Sequence, residues 1–350
     1  MRFKKLGSLL LATMLSLSAV ACSGAQSSSS APAQDSSAVS SVAQGTEQEY
    51  PIVIQHAFGE TVIEEKPERV ATIAWANQDT PLALGVMPVG FSMANFGPVD
   101  EFGMHSWTAA KVAELGVTSP NVFQDTDGID YEAISDTQPD VILAAYSGLT
   151  QEEYDLLSQI APVVAYPKEP WQTYWRDQII LNATGMGMKA EGEEYVAEME
   201  DLIATTTAQY PQLEGKNGAF LWIDATDLSK LYLYFTIDTR AAYLTDLGIA
   251  FPESLNELKT DDTSFAVTVS SENLDILNDL DIIVAYGDAT LLTTLQADPL
   301  FGTVPAIQRG SVVLIDSNSD LAGAATPSAL SIPAIIDEYV ALLAEAADKV

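Results

Sequence analysis

The chain has 350 residues, 47% of them hydrophobic, which is enough to bury more than one core and allows about two domains. Against 15 Lys and Arg it carries 49 Asp and Glu, a formal net charge of −34. A field of that sign opposes binding to nucleic acid or to an anionic membrane surface, and the composition excludes a fibre or a wholly disordered chain.

Arg2, Lys4 and Lys5 form a basic head, Leu6 to Val20 an apolar run too short to span a bilayer, and Ala19-Val20-Ala21 a small-residue cleavage site. Together they read as a secretory signal over residues 1–21. Cys22, the only cysteine, follows at once, and its setting resembles the lipobox of bacterial lipoproteins, with Ala19 where leucine is commoner. That resemblance implies a lipidated Cys22 holding the chain to the extracytoplasmic face of the bacterial cell membrane. The alternative is an ordinary signal cut at the same bond, leaving a free thiol. The rest of residues 22–48 is dominated by Ser, Ala and Gln and reads as a flexible tether.

Residues 50–188 read as a first α/β lobe. Pro51 to His56 and Glu60 to Glu64 flank Ala57-Phe58-Gly59 as a hairpin. Arg69 to Trp75 is an apolar strand, Asn77 to Gly85 a helix and Pro88 to Met93 a second strand, which makes a βαβ unit with parallel pairing. A helix near Ala109 to Leu115 follows, then the Asp130 to Ile134 segment and the buried strand Val141 to Ala145. Thr150-Gln151-Glu152-Glu153 is a capping box opening the next helix, and Pro162 to Tyr166 is another strand.

Residues 189–213 carry Val196, Met199, Leu202, Ile203 and Thr206 at three- and four-residue steps opposite an acidic face, so they read as one amphipathic helix stopped by Pro211. A second lobe occupies 214–350. It has strands at Gly218 to Ala225, Leu231 to Phe235, Val267 to Ser271 and Val312 to Asp316, an Asp238-capped helix ending at Gly248, and a terminal helix over Ser331 to Ala347. Glu132-Ala-Ile-Ser with a strand ending in Tyr146 is matched by Glu272-Asn-Leu-Asp with a strand ending in Tyr286. The fold class is therefore α/β, two Rossmann-like lobes with mainly parallel sheets joined by one long helix that acts as a strut.

ERVATIAWANQDTPLALGVMPVGF, YEAISDTQPDVILAAYSGLTQEEYDLLSQIAPVV and SSENLDILNDLDIIVAY resemble the substrate-binding lipoproteins of ABC importers for ferric siderophores, haem or cobalamin. The resemblance implies the helical-backbone, class III periplasmic-binding-protein architecture, a monomer that takes a small-molecule metal chelate in the inter-lobe cleft, and delivery to ABC permease subunits. It also implies that Glu132 and Glu272 each face an arginine of the permease; on residue type alone each is a helix-cap carboxylate.

Ligands of open α/β sheets gather beyond the carboxyl ends of strands, which selects Trp75, Asn77 and Tyr146, with Trp107, Trp222, Tyr232 and Tyr286 as further aromatic candidates. Arg240 is one of four arginines beyond the signal and suits a ligand oxygen as well as it suits a surface ion pair. His56 and His105 are the only histidines, too few for a protein-held metal site, so iron would arrive held by its chelator, with no intrinsic cofactor. There is no G-x-S-x-G elbow, P-loop or G-x-G-x-x-G after a strand, which disfavours an enzyme. The other class kept open is an extracellular two-carboxylate glycoside hydrolase using Glu132 and Glu272, beside haem or cobalamin binding within the same family.

Overall fold

The computed structural model describes residues 49–350. The expected signal segment, Cys22 and the tether lie outside the described residues.

Strands β1 (Ile52–His56) and β2 (Gly59–Ile63) pair antiparallel around Ala57-Phe58. The first main sheet is wholly parallel, with β3 (Val70–Thr72), β4 (Gly90–Ser92), β5 (Val122–Phe123), β6 (Val141–Ala144) and β7 (Val163–Ala165) in the order β5-β4-β3-β6-β7. Its strands are buried on both faces, which is why they read as continuous apolar runs. The second sheet contains β8 (Gly218–Trp222), β9 (Lys230–Tyr234), β10 (Ala266–Ser270), β11 (Ile282–Tyr286) and β12 (Val312–Ile315), ordered β10-β9-β8-β11-β12. Here β8, β11 and β12 are parallel, and β9 and β10 extend the edge antiparallel. Helices cover both sheets, giving the α/β architecture with mainly parallel strands.

The helix over Lys189–Thr207 joins the halves. It ends earlier than the periodicity suggests, and a separate 3₁₀ turn over Pro211–Leu213 completes the segment. Pro211 disfavours helical dihedrals at the residue before it, and Tyr210 is already extended toward φ −123°, ψ 69°. Gly192, Val196, Met199, Ile203 and Thr206 are the helix's buried residues.

Val196, Met199 and Ile203 enter one apolar cluster that also takes Trp107, Trp175 and Ile179 from the first half and Phe220, Tyr243, Tyr339 and Leu343 from the second. The helix over Trp175–Gly185, absent from the sequence reading, packs against the connecting helix. It was hard to see because its buried residues, among them Trp175, Gln178, Ile179, Asn182 and Ala183, do not form one apolar stripe. The terminal helix Ser331–Ala347 packs on the other side, and Tyr195 of the connecting helix donates to the Ala329 carbonyl at 2.8 Å.

Polar bonds reinforce this join. Arg176 donates through Nη1 to both oxygens of Asp246 at 3.0 Å and through Nε to Glu200 at 2.6 Å, and Trp175 Nε1 donates to Asp246 at 2.9 Å. Asp79 is fully buried and accepts from Trp107 Nε1 at 3.2 Å, Thr108 Oγ1 at 3.1 Å and Ser328 Oγ at 2.5 Å, so one carboxylate ties the first half to the loop before the terminal helix. Burial pushes its pKa up to about 6, against the pull of these three donors.

The two copies of the acidic unit differ. Tyr131–Asp136 is α-helical and capped by Asp130, whereas Ser271–Leu277 is a kinked 3₁₀ segment capped by Ser270. The caps are thus supplied by Asp130 and Ser270, and neither the Glu132 nor the Glu272 side chain forms a hydrogen bond or ion pair among the described residues. Both are exposed.

Two predictions test this packing. A Cβ on Gly192 would lie 2.5 Å from the Ala183 Cβ, so Gly192→Ala should destabilise by about 1–2 kcal/mol in denaturant unfolding despite its better helix propensity. Adding Ala183→Gly, which reopens the space, should recover most of that loss; a neutral single variant contradicts the close approach. For Asp79 the folded pKa lies above the unfolded 3.8, so the folded state holds the extra proton. Its contribution is therefore present below about pH 4 and lost as pH rises to about 6, amounting to roughly 3 kcal/mol. The stability difference between wild type and Asp79→Asn should change by that order across the window, and a constant difference would refute the assignment.

Candidate functional site: an aromatic cavity between the sheets

Beyond the carboxyl ends of β3, β4, β6, β8 and β11 the two halves enclose a cavity of about 960 Å³. That is the upper range for sites that hold bulky small molecules. The first half contributes Ala74-Trp75-Ala76 after β3, Met93 to Phe96 after β4, Tyr146 to Leu149 after β6, and Trp171 from the loop after β7. Opposite stand Trp222 at the end of β8, Tyr234 in β9, Phe265 before β10, Tyr286 at the end of β11, and Arg240.

Arg240 is positioned by the Asp238 cap of the helix Thr239–Asp246. Its Nε donates to Asp238 Oδ1 at 3.0 Å and its Nη2 to Oδ2 at 2.7 Å. The guanidinium carbon lies 4.4 Å from the centre of the Tyr234 ring and 5.4 Å from that of Phe220. Burial alone would lower the guanidinium pKa, but the hydrogen bonds and charge of Asp238 outweigh it and raise it, so Arg240 stays charged inside the cavity.

Tyr146 and Thr239 share a hydrogen bond at 3.2 Å across the cavity floor, and burial pushes the Tyr146 phenol up to about 12. Phe96 meets Tyr286 edge-on at 5.2 Å from the opposite half. Burial likewise raises Tyr286. Tyr146 and Tyr286 therefore remain neutral and offer hydroxyls and ring faces rather than phenolates.

Carboxylates outnumber cations in the lining. Asp125, Glu153, Glu169 and Asp238 reach it, against the single guanidinium of Arg240, which Asp238 already pairs. Asp125 accepts from Ser92, and its pKa is raised, mainly by burial. Among the described residues no group of three or more His, Cys, Asp or Glu is arranged to hold a metal ion.

Of the residues selected from sequence, Trp75, Tyr146, Trp222, Arg240 and Tyr286 line this cavity and Asn77, Trp107 and Tyr232 do not. Asn77 is fully buried behind the wall. It donates to the carbonyls of Ile73 at 2.7 Å and Tyr146 at 2.9 Å, and it accepts from Tyr146 N–H, Asn182 and Gln178. Its role is to fasten the ends of β3 and β6 together. Trp107 belongs to the shared core and spends its indole N–H on Asp79. Tyr232 pairs with Trp222 across the ladder, rings 5.4 Å apart, and stops short of the wall that Tyr234, two residues on, reaches.

Sequence reasoning left out Phe96, Trp171, Tyr234 and Phe265 from the site. Three of these lie in loops whose course is set by partners far along the chain. Gln172, for example, donates to the Thr263 carbonyl at 3.0 Å, and Tyr174 to that of Thr236 at 3.0 Å. Neither Glu132 nor Glu272 lines the cavity.

The family described as periplasmic binding protein matches residues 70–319. The crystal structure of PiaA from Streptococcus pneumoniae TIGR4 in complex with ferrichrome is 48% identical and superposes with a TM-score of 0.81, covering 85% of this chain and 99% of that one. A second structure of the same protein, described as an iron uptake ABC transporter substrate-binding protein, is 47% identical with a TM-score of 0.78 over 85% of this chain and all of that one. A probable siderophore-binding lipoprotein of Bacillus subtilis (strain 168), YfiY, is 26% identical over 237 residues, 67% of each chain. With the match spanning both sheets and the cavity between them, the chain belongs to the periplasmic binding protein family.

Proposed function

We propose that the chain is the substrate-binding component of an ABC importer, capturing a ferric siderophore in the cavity between its lobes and delivering it to the membrane permease. The observation that carries this is the cavity itself. Its volume of about 960 Å³, its ring of Trp, Tyr and Phe side chains and its one half-buried guanidinium suit a bulky chelate held by stacking and a few hydrogen bonds. PiaA, similar over nearly its whole length, is crystallised with ferrichrome, which makes ferrichrome the first ligand to try.

The excess of carboxylates in the lining favours neutral or cationic chelates over strongly anionic ones, because Arg240 is already compensated. The iron comes as cargo inside its chelator and needs no ligands from the protein. Neither haem nor cobalamin is favoured by a specific observation. The two-carboxylate hydrolase loses its basis, since Glu132 and Glu272 sit outside the cavity.

The side chains of Glu132 and Glu272, exposed and with no side-chain hydrogen bond or ion pair among the described residues, support reading the two lobes as a docking face for permease arginines, one acid per lobe. Lipidation of Cys22 would hold the domain, as a monomer, to the outer face of the cell membrane, with residues 23–48 as its tether. Among the described residues no helix is long and apolar enough to cross a membrane. The lobe limits are proposed at 188/189 and 213/214, with the connecting segment between them.

Titration of the protein with ferrichrome, followed by tryptophan fluorescence, should give saturable quenching at one equivalent, because Trp75, Trp171 and Trp222 line the cavity. No quenching by ferrichrome or by other ferric hydroxamates, with haem and cobalamin bound instead, would transfer the site to another cargo. Arg240→Ala should weaken ferrichrome binding by about 10- to 100-fold with the fold retained, and unchanged affinity removes Arg240 from the site. Glu132→Ala combined with Glu272→Ala should abolish uptake by cells while leaving affinity intact; a parallel loss of affinity argues against docking.

A further inference from the structure

Among the described residues four non-glycine residues adopt the left-handed backbone region: Ala74 at φ 63°, Ala76 at 56°, Gln138 at 48° and Trp171 at 61°. An L-residue with a Cβ is strained there, and alanine has no polar side chain to offset the strain. Three of the four, Ala74, Ala76 and Trp171, line the cavity, all on the wall made by the first lobe. Such residues persist only where the surroundings over-determine them, and they gather at ligand sites.

The surroundings here do so. Ala74 N–H donates to Ser92 Oγ at 2.9 Å, the Trp75 carbonyl accepts from Gln178 at 3.1 Å, and the Ala76 carbonyl accepts from Asp79 N–H at 3.2 Å. Immediately behind, the buried Asn77 amide joins this loop to Tyr146 and to Asn182. The two inverted residues thus present Trp75 from a backbone fastened on both sides. At the neighbouring loop Trp171 N–H donates to the Ser147 carbonyl at 2.9 Å. Its indole rests on the bare backbone of Gly148, where an added Cβ would come within 2.2 Å of Nε1.

Glycine would fill the same dihedrals without strain, yet it would leave the free chain able to leave them. We propose that Ala74, Ala76 and Trp171 are positioning residues that keep this wall of the cavity in its ligand-bound shape before the ligand arrives, at the expense of fold stability. Rigidity in the free protein removes an ordering loss that binding would otherwise carry. The inference rests on the reading of the cavity as a ferric-chelate site.

The test compares the double variant Ala74→Gly, Ala76→Gly with Gln138→Gly, which has the same backbone geometry but lies away from the cavity, its carbonyl accepting from Arg69 Nε at 2.8 Å. Melting temperature and ferrichrome affinity are read on each. Both variants should melt at the wild-type temperature or above it. Only the cavity pair should lose affinity, by about 3- to 10-fold, mostly through faster dissociation. Gly148→Ala, which displaces the Trp171 indole, should lower affinity in the same way. Unchanged affinity in both cavity variants, an equal loss in Gln138→Gly, or a lower melting temperature in the Ala74, Ala76 pair would each overturn the inference. Wild-type protein that binds no ferric chelate would instead overturn the function on which it rests.

Discussion

The two halves of the molecule cannot part freely because they share a core. Val196, Met199 and Ile203 of the connecting helix sit in one apolar cluster with Trp175 and Ile179 on one side and Tyr243, Tyr339 and Leu343 on the other. Opening the lobes far would put that cluster in water at roughly 25 cal/mol for each Å² of apolar surface uncovered. It would also break the buried bond from Ser328 to Asp79, the one of that carboxylate's three side-chain bonds that comes from the second half. Small relative movements are what such a join permits, so the cavity must be close to its working shape whether or not it is filled.

From that constraint the character of the site follows. A clamp that closes through large angles can shape itself to its ligand late, whereas this one has to hold its side chains in place throughout. The Asp238 carboxylate fixes the Arg240 fork against the Tyr234 face, and the Asn77 amide fixes the ends of β3 and β6. The strained alanines around Trp75 belong to the same pattern, as do the Tyr146 to Thr239 and Phe96 to Tyr286 contacts that span the cleft. A buried amide bonded at both its oxygen and its nitrogen rigidifies its surroundings, and Asn77 does so directly behind the aromatic wall.

Much of the fold was readable because its signals are local. The Thr150 capping box, the Asp238 cap and the span of the terminal helix each follow from a few adjacent residues, and the buried strands announce themselves as short apolar runs. The Trp175–Gly185 helix was not readable, since it is buried on several sides and carries Gln178 and Asn182 inward. That omission explains the misplacement of Asn77: an asparagine just past a strand looks like a cleft residue until its buried amide partners are known to stand behind it. Trp107 was misplaced for the same reason, its partner Asp79 lying 28 residues away. Trp171 and Phe265 illustrate the opposite difficulty, as exposed aromatics in loops whose paths depend on contacts some 90 residues apart.

The most direct test of the account is the position of iron in a crystal of the protein grown with ferrichrome, located by its anomalous scattering. The account places one strong peak inside the aromatic cavity, within chelate reach of Arg240, Tyr146 and Trp75, with the two lobes superposing closely on the structure described here. Iron found on the outer surface, or bound only after the lobes swing apart and the shared core opens, would contradict it.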